Sequence, residues 1–245
     1  MLANERLKIL NYHNVEQPPT GAAYPKLYVE PAQFARQMWC LKQLGLRGVS
    51  LSEGLALLAR GRAARAVVVT FDDGYADNLH QAAPILREFG FSATCYVVSR
   101  RVGTFNQWDA DRLNVRKPLM SEGELRRWLN EGFEIGSHTR THPALDTLDA
   151  AASEDEIAGS RADLESLTGV RIEHFCYPYG AFNETSVRHV AAAGYRSAVT
   201  TQRGIVRAND DPFRLSRIAV GPSFFRFTLK AAMPYASWSR WQAAA

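Results

Sequence analysis

The feature that most restricts the fold of this chain is a repeated junction between a helix and a strand. A helical pattern ends in glycine and an apolar segment follows at once, at Gly45, Gly90, Gly132, Gly169 and Gly194. Glycine just past a helix takes the left-handed conformation that closes the last turn. Apolar segments such as AVVVTF and FSATCYVV are then strands, and regular alternation with helices predicts a parallel sheet, open or closed into a barrel. A length of 245 residues is compatible with one domain and one core.

Three helices have local signals that predict their faces or their starts. Residues 31–45, PAQFARQMWCLKQLG, place apolar side chains on one face of a helix. Two other helices are predicted to begin with a capping box, one from Ser121 to Glu124 and one from Ser153 to Glu156.

The composition argues against nucleic-acid binding and against a disulfide framework. The net charge of +4 and the pI near 9.0 come from arginines that are scattered along the chain, which is typical of a solvated surface. Cys40, Cys95 and Cys176 each lie in an apolar context, and no CxxC motif is present. We therefore expect buried free thiols.

The sequence contains no obvious membrane or export segment. The N-terminal residues MLANERLKILNYHNV lack the long apolar core of a signal peptide, and no apolar run approaches the length of a transmembrane helix. The sequence as given predicts a cytoplasmic protein without an integral membrane segment. An exported protein whose signal had been removed would present the same sequence.

Polar side chains follow three of the predicted strands. Asp72 and Asp73 end the strand in VVVTFDDGYADN, while His138 and His142 follow the strand in FEIGSHTRTHPAL. Tyr179 follows a third strand in HFCYPYGAFNE. Because sites in parallel α/β folds gather at the carboxyl ends of the strands, we expect these residues to lie together.

The two histidines are spaced as metal ligands. His138 and His142 are four residues apart, so one helical turn would point both imidazoles to the same side. With a carboxylate from elsewhere they would form a three-ligand site with open positions, which catalytic zinc requires. The alternative is a pair of surface histidines.

The paired aspartates are predicted to have two different roles. Successive residues after a strand point in different directions, so Asp72 and Asp73 cannot share one task. One can bind metal while the other accepts a proton. An N-cap or a turn at a strand-to-helix junction is the alternative, and it accounts for only one of the two carboxylates.

The segments TFDDGY, SHTRTH and YPYG resemble the first three motifs of the polysaccharide deacetylases, the fourth carbohydrate esterase family. The resemblance extends over about residues 8–220 of a single catalytic domain, residues 1–245, and implies a distorted (β/α)7 barrel. It implies that Asp73, His138 and His142 bind a divalent metal and that Asp72 is the general base. It also implies that Tyr179 offers its backbone N–H to the oxyanion.

The chain departs from the usual family pattern at two positions. Cys176 stands where the third motif commonly has an arginine, and no histidine follows His189 to act as the late general acid. The N-terminal segment ILNYHNV resembles the poly-N-acetylglucosamine deacetylases, a subgroup with permuted late motifs. That resemblance implies that His13 is the acid. It also implies that Arg217, in FRLSRIAV, replaces the missing arginine, with a surface arginine beside a strand as the alternative.

Three aromatic residues are candidates for contact with sugar rings. Trp108 lies in a long loop at about residues 100–120, and Tyr177 and Tyr179 belong to the third motif. Flat apolar faces of this kind stack on sugars, and core packing is the more common role of any single aromatic.

Together the residues and the resemblance predict a metal-dependent hydrolase that removes acetyl groups from N-acetylated sugars of a polysaccharide or glycan precursor. Zinc is the expected ion, and nickel, cobalt or iron would suit the same ligands. Three alternatives remain open: a non-haem iron oxygenase, a catalytically impaired glycan-binding homologue, and an amide hydrolase acting on a small metabolite.

Overall fold

The computed structural model describes residues 5–232, and within them nine β-strands alternate with helices. The strands are β1 (Arg6–Tyr12), β2 (Arg47–Val49), β3 (Ala66–Phe71), β4 (Thr94–Val97), β5 (Glu134–Ser137), β6 (His174–Cys176), β7 (Ser197–Arg203), β8 (Val206–Arg207) and β9 (Leu215–Ala219). The predicted strands AVVVTF and FSATCYVV are confirmed as β3 and β4.

Seven strands form a closed parallel barrel in the order β1, β3, β4, β5, β6, β7, β9. The barrel closes because β1 pairs in parallel with β9 on one side and with β3 on the other, from Lys8 opposite Val67 to Tyr12 opposite Phe71. Strand β2 extends the sheet beside the start of β3, and β8 runs antiparallel to the start of β1. The predicted distorted (β/α)7 barrel is confirmed, and an open sheet is excluded.

All helices but the last lie between strands along the chain, and together the helices cover the barrel. They are α1 (Pro31–Gln43), α2 (Leu51–Ala59), α3 (Ala83–Phe89), α4 (Ala110–Leu113), α5 (Glu122–Asn130), α6 (Ala150–Thr168), α7 (Glu184–Ala192) and α8 (Phe224–Ala232). A π-helical turn, Asn78–Ala82, leads into α3. Single 3-10 turns occur at Pro25–Leu27, Ala63–Arg65, Ser99–Arg101, Leu145–Thr147 and Pro178–Gly180.

Strand β3 shows how the barrel positions its polar residues. Val67, Val69 and Phe71 pack in the larger hydrophobic cluster with the helices, whereas Val68 packs in a second cluster drawn largely from the barrel strands. Side chains alternate along a strand, so residue 72 continues the face of Val68 just beyond the end of the strand. Asp72 therefore emerges at the carboxyl end of the barrel.

The predicted helix ends are confirmed, but one predicted helix start is wrong. All five glycines named above have positive φ. The capping box of Ser121 and Glu124 is present at the start of α5. The box predicted at Ser153 is absent, because α6 begins earlier, where the carboxylate of Asp149 accepts the backbone N–H of Ala152.

Two predictions from composition can be checked in the fold. All three cysteines are buried and free, as expected. Within residues 5–232, no helix has both the length and the apolar character needed to cross a bilayer. The cytoplasmic localisation stays a prediction.

Candidate active site

The carboxyl ends of the barrel strands enclose a cleft of about 210 Å³. Asp72 and Asp73 reach it from the end of β3, and His138 and His142 reach it from the loop after β5. Tyr179 lines it from the turn after β6. The three strand ends that the sequence analysis singled out therefore meet in space.

Asp73, His138 and His142 converge in this cleft. One potential ligand atom from each lies within 4.8 Å of the other two. Oδ1 of Asp73 is 3.4 Å from Nε2 of His138 and 3.3 Å from Nε2 of His142. Tetrahedral coordination with bonds of about 2.1 Å separates neighbouring ligand atoms by about 3.4 Å, so these three side chains fit a zinc-sized ion.

The two imidazoles are oriented by different contacts. Nδ1 of His138 lies 2.7 Å from the backbone oxygen of Cys176, which only accepts hydrogen bonds. Nδ1 therefore carries the proton and Nε2 is free to bind a metal. The ring of His142 stacks on Trp108 with 4.6 Å between the ring centroids, and its Nδ1 has no hydrogen-bond partner within residues 5–232.

The segment from His138 to His142 is a loop, so the prediction of one helical turn is wrong. Thr139 and His142 have φ of 66° and 69°, in the left-handed region, and Oγ1 of Thr139 accepts the His142 N–H at 3.0 Å. Asp73 and Tyr179 also have left-handed φ values, 77° and 58°. Such residues cost roughly 1–3 kcal/mol each, and strain of this kind concentrates at functional sites.

Asp72 is held by an arginine from the opposite end of the chain. Nη1 and Nη2 of Arg217 on β9 each donate a 2.7 Å hydrogen bond to one carboxylate oxygen of Asp72. Arg217 also donates to the backbone oxygen of Thr200 and to Oγ1 of Thr70. Arg217 is only 1% exposed, so the alternative of a surface arginine is wrong.

This ion pair sets the charge of Asp72. Burial by itself raises the pKa of a carboxyl group, but the charge and the hydrogen bonds of Arg217 outweigh it, and the pKa of Asp72 lies below its ordinary value. Asp72 is therefore a carboxylate at neutral pH, as a general base must be.

Cys176 occupies the space beside this pair. Nη2 of Arg217 lies 3.2 Å from its Sγ. Burial raises the pKa of the Cys176 thiol, which therefore stays protonated and is a poor metal ligand. Asp72, His138 and Cys176 also cluster within 4.8 Å, but both Asp72 oxygens are engaged by Arg217. The Asp73 group is the better metal site.

Tyr179 lines the same cleft and has a free backbone N–H within the described residues. It has a left-handed φ within the turn Pro178–Gly180, and no group within residues 5–232 accepts its N–H. The hydroxyl of Tyr179 donates to Oδ1 of Asp109 at 3.3 Å, and its ring meets His142 edge-on. The N–H is available for a ligand, while its predicted role at an oxyanion stays a prediction.

Trp108 and Tyr177, two of the predicted sugar-binding aromatics, have different surroundings. Trp108 stacks on the His142 ring at the cleft, so contact with a sugar there stays a prediction. Tyr177 is fully buried, its ring packs against Phe175 and Phe182, and its hydroxyl donates to the backbone oxygen of Phe213. Tyr177 is nonetheless one of the residues that line the cleft, and its contact with a sugar stays a prediction.

His13 reaches the cleft from the end of β1. It lines the cleft together with Asp72 and His138, although it is more than fifty residues distant in sequence from any of them. Nδ2 of Asn78 donates to the His13 backbone oxygen at 2.8 Å, which fixes the main chain at this point. The placement is compatible with the predicted general acid, a role that stays a prediction.

A cluster of three cleft residues, Tyr24, Asp109 and Arg112, was not identified from the sequence. Nε and Nη2 of Arg112 each lie 2.8 Å from an oxygen of Asp109, and the guanidinium is 5.5 Å from the ring centroids of Tyr24 and Tyr179. Asp109 directly follows Trp108, so the residue was adjacent to a segment already singled out. Tyr24 and Arg112 have no sequence signal, because only the folded loops bring them together.

The fold and the site define a class of protein: parallel barrels with an Asp-His-His group that can hold a metal ion beside a second carboxylate at the strand ends. The family model of the polysaccharide deacetylases matches residues 59–198, more than half of the chain, and the chain belongs to that family. The family is metal-dependent, and its members are hydrolases. Membership excludes the non-haem iron oxygenase alternative.

Individual relatives agree with this assignment. A poly-beta-1,6-N-acetyl-D-glucosamine N-deacetylase of Staphylococcus epidermidis is 25% identical over 241 residues, covering 90% of this chain and 81% of the relative. The deacetylase PplD of Streptococcus pyogenes, solved in complex with acetate, has a TM-score of 0.80 at 25% identity, over 94% of this chain and 99% of that one. IcaB of Ammonifex degensii shares the fold, with a TM-score of 0.76, 24% identity and coverage of 94% and 97%.

Proposed function

We propose that this chain removes acetyl groups from N-acetylated sugars of a polysaccharide or glycan precursor. The observation that carries the proposal is the convergence of Asp73, His138 and His142 beside a second carboxylate, Asp72, which Arg217 keeps ionised. Asp73 belongs to the metal group, whereas Asp72 is free to accept a proton. Hydrolysis of an amide by activated water requires this arrangement.

The metal group and the base act on the first half of the reaction. A divalent ion held by Asp73, His138 and His142 supplies Lewis-acid chemistry, which makes an acetamide carbonyl more electrophilic and water more acidic. Asp72 accepts the proton of the attacking water. The bidentate contact with Arg217 holds the two Asp72 oxygens in place and stabilises the carboxylate before the reaction.

Tyr179 and His13 act on the charges that develop during the reaction. The free N–H of Tyr179 donates to the carbonyl oxygen as negative charge accumulates there, and loss of one such donor typically costs about 3 kcal/mol of barrier. His13, as an imidazolium, donates a proton to the departing amine. The products are acetate and a free amino sugar.

Zinc is the ion that we propose for the site. Two imidazole nitrogens and one carboxylate oxygen are a common ligand set for catalytic zinc, and three protein ligands leave positions open for water and substrate. Nickel, cobalt and iron accept the same donors, and metal analysis of the purified protein distinguishes them.

The relatives support an N-acetylglucosamine polymer as the substrate class. The Staphylococcus epidermidis relative acts on poly-beta-1,6-N-acetyl-D-glucosamine, as its name states. The impaired-homologue alternative was motivated by two missing family residues. Arg217 at Asp72 and His13 in the cleft are available for both tasks, which favours an active enzyme.

Acetate release across a panel of acetylated glycans tests the proposal. The panel contains β-1,6- and β-1,4-linked N-acetylglucosamine oligomers and small N-acetyl metabolites, with metal content measured on the same sample. We expect acetate from at least one oligomer with the metal-loaded protein and none with the chelated protein. Release from small metabolites alone would favour the metabolite hydrolase, and no release from any compound would favour the impaired homologue.

A further inference from the structure

A second cavity of about 470 Å³ opens beside the active-site cleft. The two cavities share His13 and Leu27 in their walls. The second cavity, here called the β9–α8 groove, is bounded by β9, α8 and the segment between them. A glycan with one sugar at the metal group could therefore extend past His13 into this groove.

Positive charge without acidic neighbours distinguishes this groove from the cleft. Lys26, Arg226 and Lys230 line it, and none of its described lining residues is acidic. Within residues 5–232, neither the Lys26 ammonium nor the Arg226 guanidinium has an ion-pair partner. The C-terminal residues 233–245 contain no Asp or Glu in their sequence. The active-site cleft, in contrast, is lined by three aspartates.

The third cation is held among like charges. Lys230 donates from Nζ to the backbone oxygen of Ala219, which directs its ammonium towards β9. Burial lowers the pKa of Lys230, and the charges of Arg203 and Arg226 lower it further. A bound anion would relieve this repulsion, because an opposite charge nearby stabilises the ammonium form.

A polar group of the barrel is also unsatisfied at this groove. Asn11 on β1 is 5% exposed and lines the groove, and its buried Oδ1 has no hydrogen-bond partner within the described range. Asn11 and His13 are two residues apart at the end of β1, the spacing that puts side chains on one face of a strand. The Asn11 amide can bind a sugar hydroxyl beside the acid of the cleft.

We propose that the β9–α8 groove binds a sugar unit that carries an oxyanion, a phosphate or a carboxylate, while the neighbouring acetamido sugar occupies the metal site. The proposal rests on the function proposed above and names the substrate class more closely: an acetylated glycan with an anionic substituent next to the sugar that is deacetylated. Arg226 and Lys26 bind the oxyanion, and Phe227 supplies the apolar wall.

Paired substrates test this inference. Acetate release is measured for an N-acetylglucosamine trimer, for the same trimer with one phosphate monoester, and for a trimer with one uronic acid. We expect KM to be lower by about tenfold or more for an anionic trimer, since a hydrogen bond to a charged group typically contributes that factor. The phosphate and uronate trimers distinguish the two sources of the oxyanion.

Variants locate the effect in the groove. In Arg226→Gln and Lys26→Gln, the ratio of KM for the neutral trimer to KM for the anionic trimer should fall to about one. Arg188→Gln, an exposed arginine on α7, is the matched control and should keep the preference. A wild-type enzyme with equal KM for all three trimers, or a preference that survives both groove variants, would overturn the inference.

A direct binding measurement separates this inference from the proposed function. Calorimetry with the metal-loaded Asp72→Asn protein compares the phosphorylated and the neutral trimer without turnover. Tighter binding of the phosphorylated trimer, lost in the double variant with Arg226→Gln, supports the groove even if no acetate is released. Equal affinity for both trimers contradicts the groove even if the enzyme is active.

Discussion

Arg217 and Asp72 lie 145 residues apart in the chain, yet two 2.7 Å hydrogen bonds join their side chains. Arg217 points inward from β9, and Asp72 follows β3 on the far side of β1 in the barrel order. The arginine that the third family motif commonly supplies is absent here, and Cys176 leaves room for a guanidinium from another strand.

The first prediction is a pH effect of Arg217→Gln. Arg217 keeps the pKa of Asp72 below its ordinary value against the opposing effect of burial. Without the guanidinium, burial loses its main opposing contribution, so the pKa of Asp72 rises and the base is protonated at a higher pH. The acid limb of kcat/KM should move upward by about one pH unit or more. The pH profile of acetate release measures this shift.

Two further variants make this result specific. Arg217→Lys keeps a charge but loses the bidentate contact, so it should give a smaller shift in the same direction. Arg207→Gln, in the short strand β8, should leave the limb unchanged. The position of the acid limb of kcat/KM does not depend on the fraction of protein that is folded. An unshifted acid limb in Arg217→Gln would show that Arg217 does not act through Asp72.

The second prediction concerns the metal group. Asp73→Asn, His138→Ala and His142→Ala should each lose bound metal and activity together, because two remaining ligands hold a divalent ion weakly. Metal content by mass spectrometry and acetate release are measured on the same preparations. His189→Ala, on α7, is the histidine control and should retain both. Stoichiometric metal in all three variants would remove the assignment.

The third prediction separates the base from the ligand. Asp72→Asn should keep its metal and fold but reduce turnover by roughly 10² to 10⁴, the usual range for a general base. Asp111→Asn, an exposed aspartate on α4, should have no effect on turnover. If Asp72→Asn loses metal as Asp73→Asn does, both carboxylates are ligands and the proposed roles are wrong.

The fourth prediction concerns the leaving group. An amino sugar leaves as a strongly basic amine that needs a proton, whereas an activated aryl acetate releases a stable phenoxide. His13→Ala should therefore reduce N-deacetylation by about 10² or more while it spares metal binding and much of the aryl acetate hydrolysis. His80→Ala, whose side chain is largely exposed, is the matched control. Equal losses on both substrates, or no loss on either, would exclude His13 as the acid.

Sequence signals predicted local structure reliably where that structure depends on neighbouring residues. Glycine after a helix, the run of β-branched residues in β3 and the capping box at Ser121 each depend on a few neighbouring residues, and each is confirmed. The capping-box pattern was misleading at Ser153, because Asp149 caps the start of α6 instead. The residue spacing was misleading between His138 and His142, where a left-handed turn replaces the helical turn.

The βα alternation, the family and the strand ends that carry Asp72, Asp73, His138 and His142 were predictable from the sequence alone. These features follow from short-range propensity and from motifs whose members are close along the chain. The burial of the Tyr177 side chain and of Arg217 against Asp72 became evident only in the folded barrel. His13 reaches the cleft only because β1 closes the barrel against β3 and β9. The same closure places the β9–α8 groove beside the cleft. Contacts of this kind join residues distant in sequence, because barrel closure and burial are properties of the whole chain.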